Sequence, residues 1–225
     1  MIGAHTNEPL DWMPDAASPD QKGRRQLDRE LIARTALDLI DRHGPRAMSM
    51  RRIAAELQVD TMMLYRVVPN REAMTRDVVG LLLDEMDVSD RPGESWDQAM
   101  MRVSLSELAM ALRHPQAFPL VALAPRDAEP VLSHIRTVKD LLVGCGLPEE
   151  RFVDVWLVDA AFSNGFLLLA AEACARGGRS RAAADGAETS ELAAEMAGTL
   201  SAEAFERGLT LIYTGLKDTF LREAG

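Results

Sequence analysis

The sequence predicts an all-α chain: an N-terminal three-helix unit built on a helix-turn-helix, followed by a larger helical body. Three observations predict it. Apolar residues recur at helical spacing, as in Ile32, Ala36, Leu39 and Ile40 at i, i+4, i+7 and i+8. Two short helical stretches separated by a three-residue turn lie between Ser49 and Val68. Charge is divided along the chain. Residues 22–71 hold 11 Lys/Arg against 6 Asp/Glu, residues 1–21 hold 4 acids and no base, and residues 72–225 hold 14 bases against 25 acids. A basic unit of +5 on an acidic body is the asymmetry expected when one end meets phosphate, although the whole chain carries -10.

In order, Met1 to Gln21 contains three Pro and no Lys or Arg, and reads as a mobile tail without the basic start and apolar core of a signal peptide. Lys22 to Arg25 is a basic lead-in, equally readable as a DNA-touching arm or a solvated segment. The first helix runs from Leu27 to His43 and ends at Gly44-Pro45. Ser49 caps a second helix, Met50 to Leu57, by accepting a free backbone N–H. Gln58, Val59 and Asp60 make the turn, and Asp60 or Thr61 caps a third helix to about Val68, which Pro69 stops. Ile53, Ala54, Leu57, Val59, Leu64 and Val68 form a shared apolar patch. That leaves Thr61, Met62, Met63, Tyr65 and Arg66 facing away. Hydroxyls reach phosphates, Arg reaches guanine or phosphate, and apolar side chains touch thymine methyls, so this face suits a DNA groove. A small helical packing unit without a ligand is the plainer alternative. Met50, Arg51 and Arg71 complete the expected DNA-binding set, with Arg51 and Arg66 the candidates for base contact.

The stretch IAAELQVDTMMLYRVVPNREAM resembles the DNA-binding domain of the tetracycline-repressor (TetR) family. The matching positions are Ile53, Ala54, Leu57, Val59, Leu64, Tyr65, Val67, Val68, Asn70 and Met74. Gln58 stands where that family usually has Gly, and Arg71 where it has Lys. The second change keeps the charge, so the resemblance implies a phosphate-clamping role for Arg71. GESW at Gly93 to Trp96, LAPR at Leu123 to Arg126 and Asn164-Gly165 are similar, more weakly, to the C-terminal domain of the tetracycline repressors. Those proteins hold a drug–magnesium complex with a His before a Thr-Arg-Pro turn. Here Ala122 and Pro125-Arg126-Asp127 occupy those places, so neither tetracycline nor magnesium is expected.

Asn70 caps a fourth helix to about Met86, whose Val78, Leu81, Leu82, Leu83 and Met86 are too apolar for a free linker. It is expected to connect the helix-turn-helix domain, residues 22–71, to the body, residues 94–225. Arg71 lies in its first turn, where free N–H groups favour a phosphate. Asp87 to Gly93 is a polar break. Ser95 and Gln98 form a capping box for a helix to about Arg113. Phe118 to Leu123 reads as partly helical, and Ala128 to Val143 as a helix.

Pro148 opens the longest helix, to about Cys174. Its Asp154, Asp159, Ser163 and Asn164 argue against membrane spanning, so its apolar circumference is expected to face a core and a partner subunit. Ala175 to Glu188 reads as a loop. Ser201 caps the last helix, with Phe205, Leu209, Ile212 and Leu216 on one face and the small Gly208 and Gly215 beside Leu211. These two long helices are the expected homodimer surface, a four-helix bundle from two chains.

Candidate effector contacts between body helices are Met100, Ser104, Leu108, Phe118, Leu123, Arg126, His134, Val138, Trp156 and Asn164. Simple core positions are the competing account of each. Cys145 and Cys174 have no metal-ligand spacing, so no metal, cofactor or disulfide framework is expected, and a cytoplasmic setting fits. The expected function is a palindrome-binding homodimeric transcriptional regulator, most simply a repressor released by a small molecule. A carrier or interaction module without DNA binding is the alternative. An enzyme using Asp159 and His134 lacks any nucleophile–base spacing or phosphate loop.

Overall fold

The computed structural model describes residues 27–176 and 199–223, and every element among them is helical. The expected N-terminal tail, the basic cluster Lys22 to Arg25, and the expected loop beyond Arg176 lie outside those residues.

The head forms where the sequence places its caps. Helix α1, Arg29–His43, begins at Asp28, whose carboxylate accepts the Leu31 N–H at 2.8 Å. Helix α2, Met50–Glu56, is capped by Ser49, which accepts the Arg52 N–H at 3.3 Å. Helix α3, Thr61–Val67, is capped by Asp60 rather than Thr61, through the Met62 N–H at 2.7 Å. Asn70 accepts the Ala73 N–H at 2.8 Å and starts α4, Arg71–Leu83. Each cap satisfies a backbone donor that the first helical turn leaves free. Gln58 adopts φ +55°, the left-handed conformation that a turn glycine would supply. The turn is therefore retained, at the strain that a side chain brings to that region.

Ile32, Ala36 and Ile40 of α1, Ile53 and Ala54 of α2, and Leu64 of α3 are all buried together. The same cluster continues through Val78, Leu82 and Met86 into the body, so head and body share one core. The body comprises α5, Trp96–Arg113; a short α6, Phe118–Ala122; α7, Glu129–Gly144; α8, Phe152–Arg176, entered through a 3-10 turn; and α9, Ala202–Glu223. The Gln98 side chain accepts the Ser95 N–H at 3.0 Å at the start of α5. Helix α4 packs against α1 on one side and against α6 and α7 on the other. The segment from Asp87 to Glu94 is held down by Arg102, whose guanidinium donates to the Asp87 and Ser89 carbonyls and pairs with Glu94 at 2.7 Å.

Helix α8 is long and apolar enough to cross a bilayer by length and composition, with a mean hydropathy of 1.5, but its two faces differ. Asp159 and Ser163 turn into the body, whereas Val153, Leu157, Ala161, Gly165 and Leu169, spaced by four, all face outward. In α9, Leu211 is 75% exposed and Gly215 has open space around it. Gly208 has a different job from the one its sequence neighbours suggest. A Cβ there would run into the Phe162 ring, so this glycine lets α9 close on α8 within one chain.

Candidate nucleic-acid interface and effector cavity

The local caps fix which side of α3 faces outward. Leu64 is fully buried, so its helical neighbours Thr61, Met62, Met63, Tyr65 and Arg66 are carried to or toward the surface. Thr61 is half-buried, Met62 is 67% exposed, and Met63, Tyr65 and Arg66 are exposed. Arg51 on α2 and Arg71 at the start of α4 are exposed on neighbouring elements. Met50 departs from the expected set. As the first residue of α2 its side chain turns into the head core and is buried, leaving little of it for a ligand.

The head's cations divide into two groups. Arg29 is bound to Asp77, Arg34 to Glu30, Arg42 to Asp38 and Glu56, and Arg76 to Glu72. Arg46, Arg51, Arg52, Arg66 and Arg71 carry no ion pair among the described residues. The first group stabilises the helices. The second keeps its charge exposed to solvent.

The body encloses a cavity of about 40 Å³ between α5, α7 and α8. Of the residues expected at an effector site, Met100, Ser104, Arg126, His134, Trp156 and Asn164 line it. Leu108, Phe118 and Val138 do not. They are buried in the packed core, because their helical positions point at neighbouring helices and not at the void. Leu123 lies elsewhere, 72% exposed in a separate open groove of about 750 Å³ between α4 and the α6–α7 turn. Helix α6 divides the two spaces: Val121 faces the cavity, and Leu120 faces the groove.

The cavity's polar chemistry includes two carboxyls. Asp159 Oδ1 accepts the Tyr213 hydroxyl at 2.5 Å and the Ser104 hydroxyl at 3.0 Å. Burial raises the Asp159 carboxyl to about 6, against the opposing pull of these two hydrogen bonds. Burial and the Asp159 charge raise the Tyr213 hydroxyl too, so it stays a donor. Glu107 also lines the cavity and was missed by sequence reasoning. Burial first, then the nearby Asp159 charge, raise its carboxyl to about 8, with Arg126 pulling the other way. Its sequence signal was available: Met100, Ser104 and Glu107 fall at i, i+4 and i+7 on the buried side of α5. His134 is lowered by burial, and its buried Nε2 has no hydrogen-bond partner among the described residues.

The cavity is mechanically close to the head. His114, at the end of α5, sits with Nδ1 2.7 Å from Asp41 of α1 and Nε2 3.0 Å from Glu85, just past α4. Arg113 pairs with the same Glu85. The end of α5 is therefore tied to α1 and to the C-terminal end of α4, while α6 packs on α4.

No family model matches the chain. In sequence it is 31% identical over 157 residues to the HTH-type transcriptional repressor DrrR1 of Streptomyces coeruleorubidus, an alignment covering 65% of this chain and 57% of that protein. The chain thus spans less than three fifths of that relative's length. In structure it is similar to a possible TetR family transcriptional regulator from Streptomyces coelicolor, with a TM-score of 0.69, 22% identity, and coverage of 85% of this chain and 100% of that one. It is similar also to the Streptomyces coelicolor TetR family protein ActR in complex with actinorhodin, with a TM-score of 0.66, 24% identity, and coverage of 86% and 98%. The chain thus shares the fold of these structures, a helix-turn-helix head joined through α4 to a helical body.

Proposed function

We propose that the chain is a DNA-binding transcriptional regulator, acting as a repressor that holds a palindromic operator as a homodimer and releases it when a small molecule enters the body. The observation that carries this reading is the face of α3. Thr61, Met62, Met63, Tyr65 and Arg66 lie together on a capped recognition helix, beside Arg51 and Arg71 with no ion pair among the described residues. Arg66 and Arg51 take the base contacts, and Arg71 clamps a phosphate at the N-terminus of α4. Kinship with a protein named a transcriptional repressor supports the same reading. The protein works in the cytoplasm, where its operator is.

The dimer forms through the outward row on α8 with Leu211 and Gly215 of α9, where the helix backbone is open to close approach. Two heads about 34–36 Å apart would then meet successive major grooves. The effector acts through the wall shared by cavity and lever. Entry displaces α6, which is packed on α4. Release follows only if the effector binds the displaced arrangement more tightly than the resting one.

Selection of bound sequences from random duplexes at two salt concentrations tests this. A palindrome recovered with steep salt dependence supports it, because phosphate contacts release counterions. Arg66→Ala should then cost about 1–3 kcal/mol of operator affinity. Unchanged affinity in that variant removes Arg66 from the interface. No enrichment at either salt concentration favours a carrier without DNA binding.

A further inference from the structure

The chemistry of the effector follows from what the body cavity lacks. Glu107 reaches into it from α5 and makes no hydrogen bond or ion pair among the described residues. Asp159 faces it from α8 and is engaged by Ser104 and by Tyr213 of α9. From α7, His134 contributes an unpartnered ring nitrogen and, lowered by burial, no positive charge; the Asp84 carboxylate beyond it is more negative charge again. Arg126, in the turn before α7, is the one cation lining the cavity, and it is largely exposed. Two carboxyls therefore face a small space whose remaining wall combines apolar side chains, Met100, Val121 and Trp156 among them, with the polar Ser104, His134 and Asn164 and the outward Arg126.

We propose that this cavity receives the ammonium group of a cationic, otherwise apolar effector, with Glu107 as its counter-charge. This rests on the reading of the chain as an effector-controlled regulator. An ammonium ion is the ligand group that answers an unpaired, half-buried carboxyl directly, and an aromatic wall favours a cation further. Without the ligand, burial keeps Glu107 protonated at neutral pH. On binding, the carboxyl gives its proton to solvent and accepts an N–H from the ammonium, so one proton leaves for each ligand bound. At about 40 Å³ the space takes the head group alone. The apolar remainder must displace the wall formed by Val121 of α6, and α6 leans on α4. The same step that seats the cation thus moves the lever.

Octylammonium, 1-octanol and octanoate are probes of matched length and different charge. Titration calorimetry of the full chain at pH 7, in phosphate and in Tris, gives affinity and proton count together. The expected result is octylammonium binding at least tenfold tighter than either other probe, with about one proton released per ligand and affinity rising from pH 6 to pH 8. Glu107→Gln, which mimics the protonated side chain, should lose that tenfold preference while octanol binding persists. Octanoate or octanol binding as tightly as octylammonium overturns the proposal. So does no binding of octylammonium, or binding with no proton released, and these wild-type readouts stand even if the variant fails to fold. Duplex binding separates the two readings. A chain that selects an operator yet ignores octylammonium keeps the regulator and loses the cation site. A chain that binds octylammonium through Glu107 but no duplex does the reverse.

Discussion

The head and the body use charge in opposite ways. In the head, Arg51, Arg66 and Arg71 stay exposed and free of ion pairs among the described residues, so their full positive charge is offered to the outside. In the body, Glu107 and Asp159 are drawn into a cavity where burial works against their charge. One region is ready to meet a polyanion at once. In the other, the Glu107 carboxyl, raised to about 8, is uncharged at neutral pH and ionises only with a partner. The difference teaches that a surface site is made by leaving charges unpaired, and an interior one by making ionisation conditional. The two regions nevertheless share a single buried cluster, from Ile32 to Tyr213.

The sharpest way to break this contrast is to loosen the body and watch the head. Phe205 of α9 is fully buried, with its ring 5.6 Å from that of Phe162 and 5.1 Å from that of Phe166. Phe205→Ala should cost about 3–5 kcal/mol, through lost burial and the cavity left behind. Because the core is continuous, urea unfolding followed by tryptophan fluorescence and by far-ultraviolet circular dichroism should show one coincident transition at lower denaturant. A head that unfolds at its original midpoint would separate what the shared core joins.

A pH series sharpens the contrast next. The Glu107 and Asp159 carboxyls hold their protons more tightly in the folded chain than in the unfolded one, at about 8 and about 6. Such groups make the fold most stable at low pH, within the range where the rest of the chain tolerates acid. Stability is then lost as pH climbs from the ordinary carboxyl range toward 8, because the unfolded chain ionises first. The melting temperature of the unliganded protein should therefore fall between pH 5 and pH 8. In Glu107→Gln that fall should be shallower. Identical slopes in the two proteins would mean that Glu107 is not held neutral by burial.

The smallest effect belongs to the head's turn. Gln58 pays for a left-handed backbone that glycine adopts freely. Gln58→Gly should raise stability by about 0.5–1 kcal/mol, the relief of strain being partly offset by glycine's greater freedom in the unfolded chain. A lower denaturation midpoint would show that the Gln58 side chain contributes packing that its exposure does not suggest.

The head was legible because its signals are local. Ser49, Asp60 and Asn70 each cap the helix that follows, and Pro69 lies just past the end of α3, all within a few residues of what they control. The body was legible as helices but not as a site. Ser104, His134 and Trp156 were found among candidates that also included Leu108, Phe118 and Val138, now seen in the packed core. Apolar spacing cannot separate a residue facing a void from one facing a neighbouring helix.

By itself, then, the sequence determined the helices, their caps, the outward face of α3 and the division of charge, since each depends on neighbours along the chain. Only the tertiary structure decided that Met50 is buried, that Gly208 makes room for Phe162, and that Glu107 shares a cavity with Asp159, 52 positions away. Periodicity states which side of a helix is buried. What lies across from it, and so whether a carboxyl there is neutral or charged, is set by elements that only folding brings together.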